Sequence, residues 1–228
     1  MATLKHHPSL REYQAFILKV YGPANQKHFT ANEMLTNVSR FAMRGLKGIR
    51  KGDRRKTELN LMIAASWMLS LSNQLGIDLE GELWARFPYH CSYCGSIPCA
   101  CRDNKVKKRI TVRPDPKLRP KTIRDFQEMF EAIYPSQSRT LEHAGIHLAE
   151  EVGELSESVL KFRGSHEDND YRRVAIETAD AFSCFMGVFN SLGFDYEEHV
   201  QELFRKGCHV CKNVPCRCAH ASVLNFKS

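Results

Sequence analysis

The sequence predicts an all-α protein, and three observations carry that prediction. Apolar residues recur at three- and four-residue spacing over long stretches. No stretch alternates apolar and polar residues as a half-buried strand does. Helix start and stop signals also bracket the same four segments twice along the 228 residues. At 43% hydrophobic and 10% aromatic residues, the chain has enough apolar material for a core, which excludes disorder of the whole. No apolar run reaches the ~18–20 residues that cross a bilayer, so no membrane partner is expected. The start, MATLKHHPSLREY, lacks the apolar centre of a signal peptide, and the expected compartment is the cytoplasm.

The architecture follows from an internal repeat. Eight of the nine cysteines fall in two clusters, CSYCGSIPCAC at 91–101 and CHVCKNVPCRC at 208–218. Both read C-x2-C-x4-C-x-C, and the second trails the first by 117 residues. SNQLGIDLE (72–80) matches NSLGFDYEE (190–198), and PSLREYQAFILKVYG (8–22) resembles KTIRDFQEMFEAIYP (121–135). Two halves, 8–101 and 121–218, are therefore expected to flank a connector at 102–120, with a tail at 219–228.

Each half reads as four helices. In the first half, Ser9 and Glu12 form a capping-box pattern opening a helix over 9–21, followed by helices over 30–46, 54–75 and 79–87. In the second, Thr122 and Asp125 open a helix over 122–134. Leu141, Ile146, Leu148, Val152, Leu155, Val159 and Leu160 space a helix over 139–163. Val174, Ile176, Phe182, Phe185, Met186 and Phe189 carry the next, over 168–192 and ending at Gly193. Asp195 then caps a helix over 196–206.

The net charge of +7 first suggests a nucleic-acid-binding surface. Residues 102–121, however, hold nine Lys and Arg against two Asp, and so contain the whole excess. Pro114, Pro116 and Pro120 forbid a helix across the second half of that stretch. It reads as a solvated, extended linker joining two charge-balanced halves, with a phosphate-attracting rim as the other use of its cations. Nucleic acid is accordingly not the expected partner.

The acidic residues inside apolar helices carry the chemistry. HLAEEVGEL places Glu150, Glu151 and Glu154 among Leu148, Val152 and Leu155, and AIETADAF places Glu177 and Asp180 among Ile176, Ala179 and Phe182. Glu151/Glu154 and Glu177/Asp180 are i, i+3 pairs, each sharing one helix face. Burying unpaired carboxylates costs several kcal/mol each, and a hard cation such as Mg²⁺, which takes oxygen ligands and keeps substrate phosphates in its shell, removes that cost. Solvent-facing glutamates are the plainer reading of the same pattern.

EEVGE followed 22 residues later by ETAD resembles the E-E-x-x-E…E-x-x-D signature of the MazG-like all-α nucleoside triphosphate pyrophosphohydrolases. The resemblance covers 121–206 and extends more weakly to 8–87. It implies that Glu151, Glu154, Glu177 and Asp180 hold Mg²⁺, with Glu150 a further ligand or a water-orienting base. It also implies that water attacks the α-phosphorus of a nucleoside triphosphate to give the monophosphate and pyrophosphate. Lys161, Arg163, Arg205 and Lys206 are candidate cations for the departing pyrophosphate, or helix C-terminal charges complementing the dipole.

Sliding the halves over each other places Ala31, Asn32 and Leu35 opposite Glu150, Glu151 and Glu154, and Asn60 and Ile63 opposite Glu177 and Asp180. The first half thus lacks the acidic set. Because MazG-like proteins are commonly dimers, the resemblance implies a fused pseudo-dimer with one working site, which a homo-oligomer could pair again. The first half would bury the apolar face of the second or supply a nucleobase pocket, with Phe41, Trp67 and Asn73 as candidates against ordinary core packing. Asn73 and Asn190 occupy matching positions and read equally as helix C-terminal residues or substrate contacts.

Cys91, Cys94, Cys99 and Cys101, and again Cys208, Cys211, Cys216 and Cys218, each supply four thiolates for one structural Zn²⁺. Disulfides and an iron–sulfur or redox role are the weaker alternatives. Cys184, inside a helix, reads as a buried small residue. The expected function is Mg²⁺-dependent nucleotide pyrophosphate hydrolysis. The alternative is a non-catalytic nucleotide-sensing or nucleic-acid-binding zinc protein that uses the basic linker.

Overall fold

The computed structural model describes residues 3–104 and 106–226. The helices run α1 (Leu10–His28), α2 (Ala31–Arg50), α3 (Arg54–Leu75), α4 (Leu79–Arg86), α5 (Ile123–Ile133), α6 (Leu141–Ser165), α7 (Asp168–Ser191), α8 (Tyr196–Phe204) and α9 (His220–Leu224). Short 3-10 turns at Pro116–Leu118 and Ser136–Ser138 complete the regular structure, and the described residues contain no strand. No helix is long and apolar enough to cross a membrane among the described residues.

Local signals account for most boundaries. Ser9 with Glu12 and Thr122 with Asp125 form reciprocal capping boxes, as does Thr30 with Glu33 at the start of α2. Gly76 and Gly193 follow α3 and α7 at φ values of 71° and 60°, conformations that glycine adopts without steric cost. Two expectations fail along the helices. α1 does not stop before Gly22-Pro23 but continues through Pro23 to His28, with Gly22 and Asn25 still buried. On α6, Ile146 and Leu160 are exposed; the buried stripe is Ala144, Leu148, Val152, Leu155 and Val159.

The chain forms two compact units, and they do not coincide with the halves of the repeat. One comprises Met1–Asp78 with Glu197–Ser228; the other comprises Leu79–Tyr196. Each therefore holds three helices of one repeat together with the last helix and cysteine cluster of the other. The repeat identifies which segments correspond, whereas packing decides which segments share a core. The breaks fall next to the short connections that follow α3 and α7.

Within each unit the same locks recur. In the first, Gln14 donates to the Ile77 carbonyl (2.7 Å) and the Asn73 side chain (3.2 Å), and Asn73 donates back to the Gln14 carbonyl (3.0 Å). In the second, Gln127 donates to the Phe194 carbonyl (2.6 Å) and the Asn190 side chain (2.9 Å), and Asn190 donates to the Gln127 carbonyl (3.2 Å). Arg11–Asp78 (2.5 Å) and Arg124–Asp195 (2.6 Å) form matching ion pairs. Asn73 and Asn190 are thus structural, tying the end of a long helix to the first helix of its repeat.

The basic connector is less free than an extended linker. The Ile110 amide donates to the Tyr93 carbonyl (2.9 Å), and the Tyr93 hydroxyl donates to the Val106 carbonyl (3.2 Å). Arg119 pairs with Glu80 at 3.5 Å. Ile110 and Val112 lie so close to Gly95 that a Cβ there would approach them within 3.1 Å, so glycine permits the connector to fold back over the first cysteine cluster.

Candidate functional site

The acidic site lies in the second unit, between α6 and α7. Burial of Leu148, Val152 and Leu155 fixes the rotation of α6 and leaves Glu151 on the flank of that stripe. On α7, the small residues Ala175, Ala179 and Ala181 surround Glu177 and Asp180, allowing close helix approach. Oxygens of Glu151, Glu177 and Asp180 all lie within 4.8 Å of one another. Glu154 stays outside that group at 55% exposure, and Glu150 is exposed on the neighbouring face of α6.

The partners of these carboxylates divide them. Arg86, from α4, grips Asp180 with Nε at 2.9 Å from Oδ1 and Nη2 at 2.6 Å from Oδ2. The pair is largely shielded, at 18% and 13% exposure for the two side chains. Arg173 reaches Glu177 Oε1 at 2.5 Å and Glu154 at 3.8 Å. Glu177 is only 2% exposed, and its Oε2, like Oε2 of Glu151, is buried without a hydrogen-bond partner among the described residues. Orphaned buried carboxylate oxygens are costly and rare. Burial, followed by the charges of Asp180, Glu154 and Glu177, pushes the Glu151 carboxyl up to about 7. Burial also raises Glu177, although Arg173 opposes the shift. An all-oxygen donor set with two unpartnered oxygens suits a hard divalent cation, which would remove both strains.

Beside the carboxylates opens a cleft of about 680 Å³ including its mouth. Its cations are Arg86, Arg109 and Arg139, and its rings are Phe87, Tyr93 and Tyr134. Arg139 donates to the Tyr134 and Gly187 carbonyls, both at 3.3 Å, while its Nε is buried without a hydrogen-bond partner among the described residues. A Cβ at position 187 would sit 2.8 Å from Arg139 Nη2, so Gly187 makes room for this guanidinium. Arg109 lies 5.5 Å from the centre of the Tyr93 ring. His147 also lines the cleft, and burial, with His143 nearby, holds its imidazole below the ordinary range. Cys184 lines it too; burial pushes that thiol up to about 12, so it stays protonated.

None of the four cations named for the departing pyrophosphate lines this cleft, whereas Arg109 of the basic connector does. Lys161 pairs with Asp170 (2.7 Å) at the α6–α7 turn, and Arg163 is exposed at the end of α6. Arg205 and Lys206 follow α8 in the first unit, where Phe41 and Trp67 also reside. Asn190 is committed to Gln127. Arg86, Phe87 and Tyr93 are not legible as site residues, because the repeat assigns residues before 121 outside the second half, and Arg139 reads only as the start of a helix. The signal available was Arg109, inside the charge-dense connector.

The cysteines form two four-thiol groups, each with its sulfurs within 4.8 Å of one another. Sulfur separations are 3.7 Å for Cys91–Cys101 and 3.9 Å for Cys94–Cys99. In the second group they are 3.8 Å for Cys208–Cys218, 3.9 Å for Cys211–Cys216 and 3.4 Å for Cys208–Cys216. A tetrahedral Zn–S bond of about 2.3 Å implies edges of about 3.8 Å, whereas a disulfide needs about 2.05 Å. The Tyr93 and Cys101 amides point at Cys91 and Cys99, and the Val210, Arg217 and Cys218 amides at Cys208, Cys211 and Cys216, as thiolates require. Both groups could therefore hold a zinc ion. Each is also tied to a first helix, through Cys99 to the Ile133 carbonyl (2.7 Å) and Cys216 to the Val20 carbonyl (2.7 Å).

No protein-family model, no curated protein and no solved structure matches the chain.

Proposed function

We propose that the protein is a Mg²⁺-dependent nucleotide pyrophosphohydrolase built from two fused MazG-like repeats, with its one acidic site in the unit Leu79–Tyr196. The observation that carries this reading is the convergence of Glu151, Glu177 and Asp180, with two orphaned buried oxygens, beside a cleft lined by guanidiniums and rings. Glu151, Glu177 and Asp180 would hold the cation. A hard cation held there would supply charge neutralisation for the displacement and would make water a stronger nucleophile.

The chain's own residues supply the remainder. Arg109 and Arg139 bind phosphate oxygens, and Arg86 orients Asp180. Tyr93, Tyr134 and Phe87 offer faces for a base. Glu150, exposed beside the set on α6, would orient the attacking water and take its proton. The water oxygen bonds to the α-phosphorus, and the bond from that phosphorus to the bridging oxygen breaks. The electron pair leaves on pyrophosphate. The two cysteine groups carry structural zinc, the first of which anchors Tyr93 between its ligands Cys91 and Cys94.

Incubation of the purified protein with a panel of ribo- and deoxyribonucleoside triphosphates tests this reading. Equimolar monophosphate and pyrophosphate are expected with Mg²⁺ and neither with EDTA. A panel that binds but never turns over would favour the nucleotide sensor instead.

A further inference from the structure

The first unit contains a second cavity of about 730 Å³ including its mouth. Its positions correspond in the repeat to those of the acidic cleft: Tyr21 stands for Tyr134, His28 for His147, Ser66 for Ser183 and Phe226 for Arg109. Its chemistry has been inverted. Asn32, Asn60 and Ile63 stand where the other unit has Glu151, Glu177 and Asp180, so no carboxylate set is left to hold a cation.

Aromatic rings replace the charges. Trp67 meets Phe29 edge-on at 5.1 Å, and His28 stacks on His220 at 5.3 Å with an interplanar angle of 11°. Phe226 covers one side, 5.4 Å from His209 and 6.2 Å from Phe41. Arg40 holds this cover by donating to the Leu224 and Phe226 carbonyls at 2.9 and 3.0 Å, and Arg44 by donating to the Phe226 carbonyl at 3.0 Å. These guanidiniums are thereby spent on the tail's backbone. Within this apolar lining, Nε2 of His220 is buried without a hydrogen-bond partner among the described residues.

We propose that this cavity is a second ligand site, for an uncharged planar heteroaromatic molecule such as a nucleoside without phosphates. Ring faces supply stacking area, and the His220 nitrogen supplies one polar anchor to a ligand edge. The inference does not depend on hydrolysis at the acidic site.

Titration calorimetry of the full chain with adenosine is the test. Wild type is expected to bind one equivalent at this site, and Trp67→Ala and Phe226→Ala are each expected to weaken it about tenfold or more. Glu177→Gln should bind adenosine as wild type does. Phe226 lies in the tail outside the helix core, so its variant reports on the cavity even if Trp67→Ala fails to fold. Absence of binding to wild type would overturn the proposal. So would an affinity unchanged in Phe226→Ala, or binding lost in Glu177→Gln, which would place the nucleoside in the acidic cleft.

Discussion

Glu177→Gln is expected to lower Mg²⁺-dependent turnover by at least about 10²–10³-fold, the scale seen when one preorganised charge-stabilising group is removed. Glu177 is the most buried of the three carboxylates, and one of its oxygens has no hydrogen-bond partner among the described residues. The substitution keeps the side-chain shape while removing a negative charge that Glu154 and Asp180 disfavour. Without metal, the variant should therefore melt no lower than wild type, which separates lost chemistry from lost folding. Glu154→Gln, at an exposed position, should cost less than about tenfold. Comparable turnover by wild type and Glu177→Gln would refute the site.

The same site dictates a pH dependence. Glu151 titrates near 7 and must be ionised to hold a cation, so apparent Mg²⁺ affinity should fall as pH drops below 7, by up to about tenfold per unit. For the metal-free protein the sign is opposite. A carboxyl raised above its unfolded value contributes stability below about 4.5 and loses it as pH rises through 7. Mg²⁺ should restore that stability at the upper end of the window, as thermal melts across pH would read.

The second large effect is expected at the cysteines. Wild type should carry two zinc ions per chain. Cys94→Ser and Cys211→Ser should each lower that to about one and reduce the melting temperature sharply. Zinc binding in small four-ligand sites contributes about 10–16 kcal/mol, as much as the net stability of a typical domain. The two variants should differ in function. Tyr93 lies between Cys91 and Cys94 and lines the acidic cleft, so Cys94→Ser should raise KM about tenfold or more, whereas the second group does not line that cleft. Zinc analysis and Michaelis kinetics on the same preparations decide this. Two zinc ions retained in either variant would contradict the assignment.

Among the described residues, seven of the nine helices are legible in the sequence to within four residues, because capping pairs, positive-φ glycines and apolar spacing are local signals; α1 runs seven residues past its expected end. α9 was hidden in the tail, being a five-residue helix with no apolar period. Glu177 and Asp180 were legible for a related reason, since i, i+3 spacing and apolar neighbours imply a shared, inward face; on α6 the same pattern brought in Glu154, which is 55% exposed and outside the group. What escaped was long-range. Arg86 reads as an ordinary cation closing a helix, and only packing shows it gripping Asp180, 94 residues away. Asn190, matched by Asn73, looked like a substrate contact, yet both amides are consumed by Gln127 and Gln14. Repeats reveal equivalence between segments, and equivalence is silent about which copy of the fourth helix completes which core.

The most direct measurement of the central claim is hydrolysis of a nucleoside triphosphate in ¹⁸O-labelled water with Mg²⁺. The account predicts one ¹⁸O atom in the monophosphate, none in pyrophosphate, and no labelled product from Glu177→Gln. Label in orthophosphate, with a diphosphate as the other product, would contradict attack at the α-phosphorus, and equal labelling by wild type and Glu177→Gln would contradict the site itself.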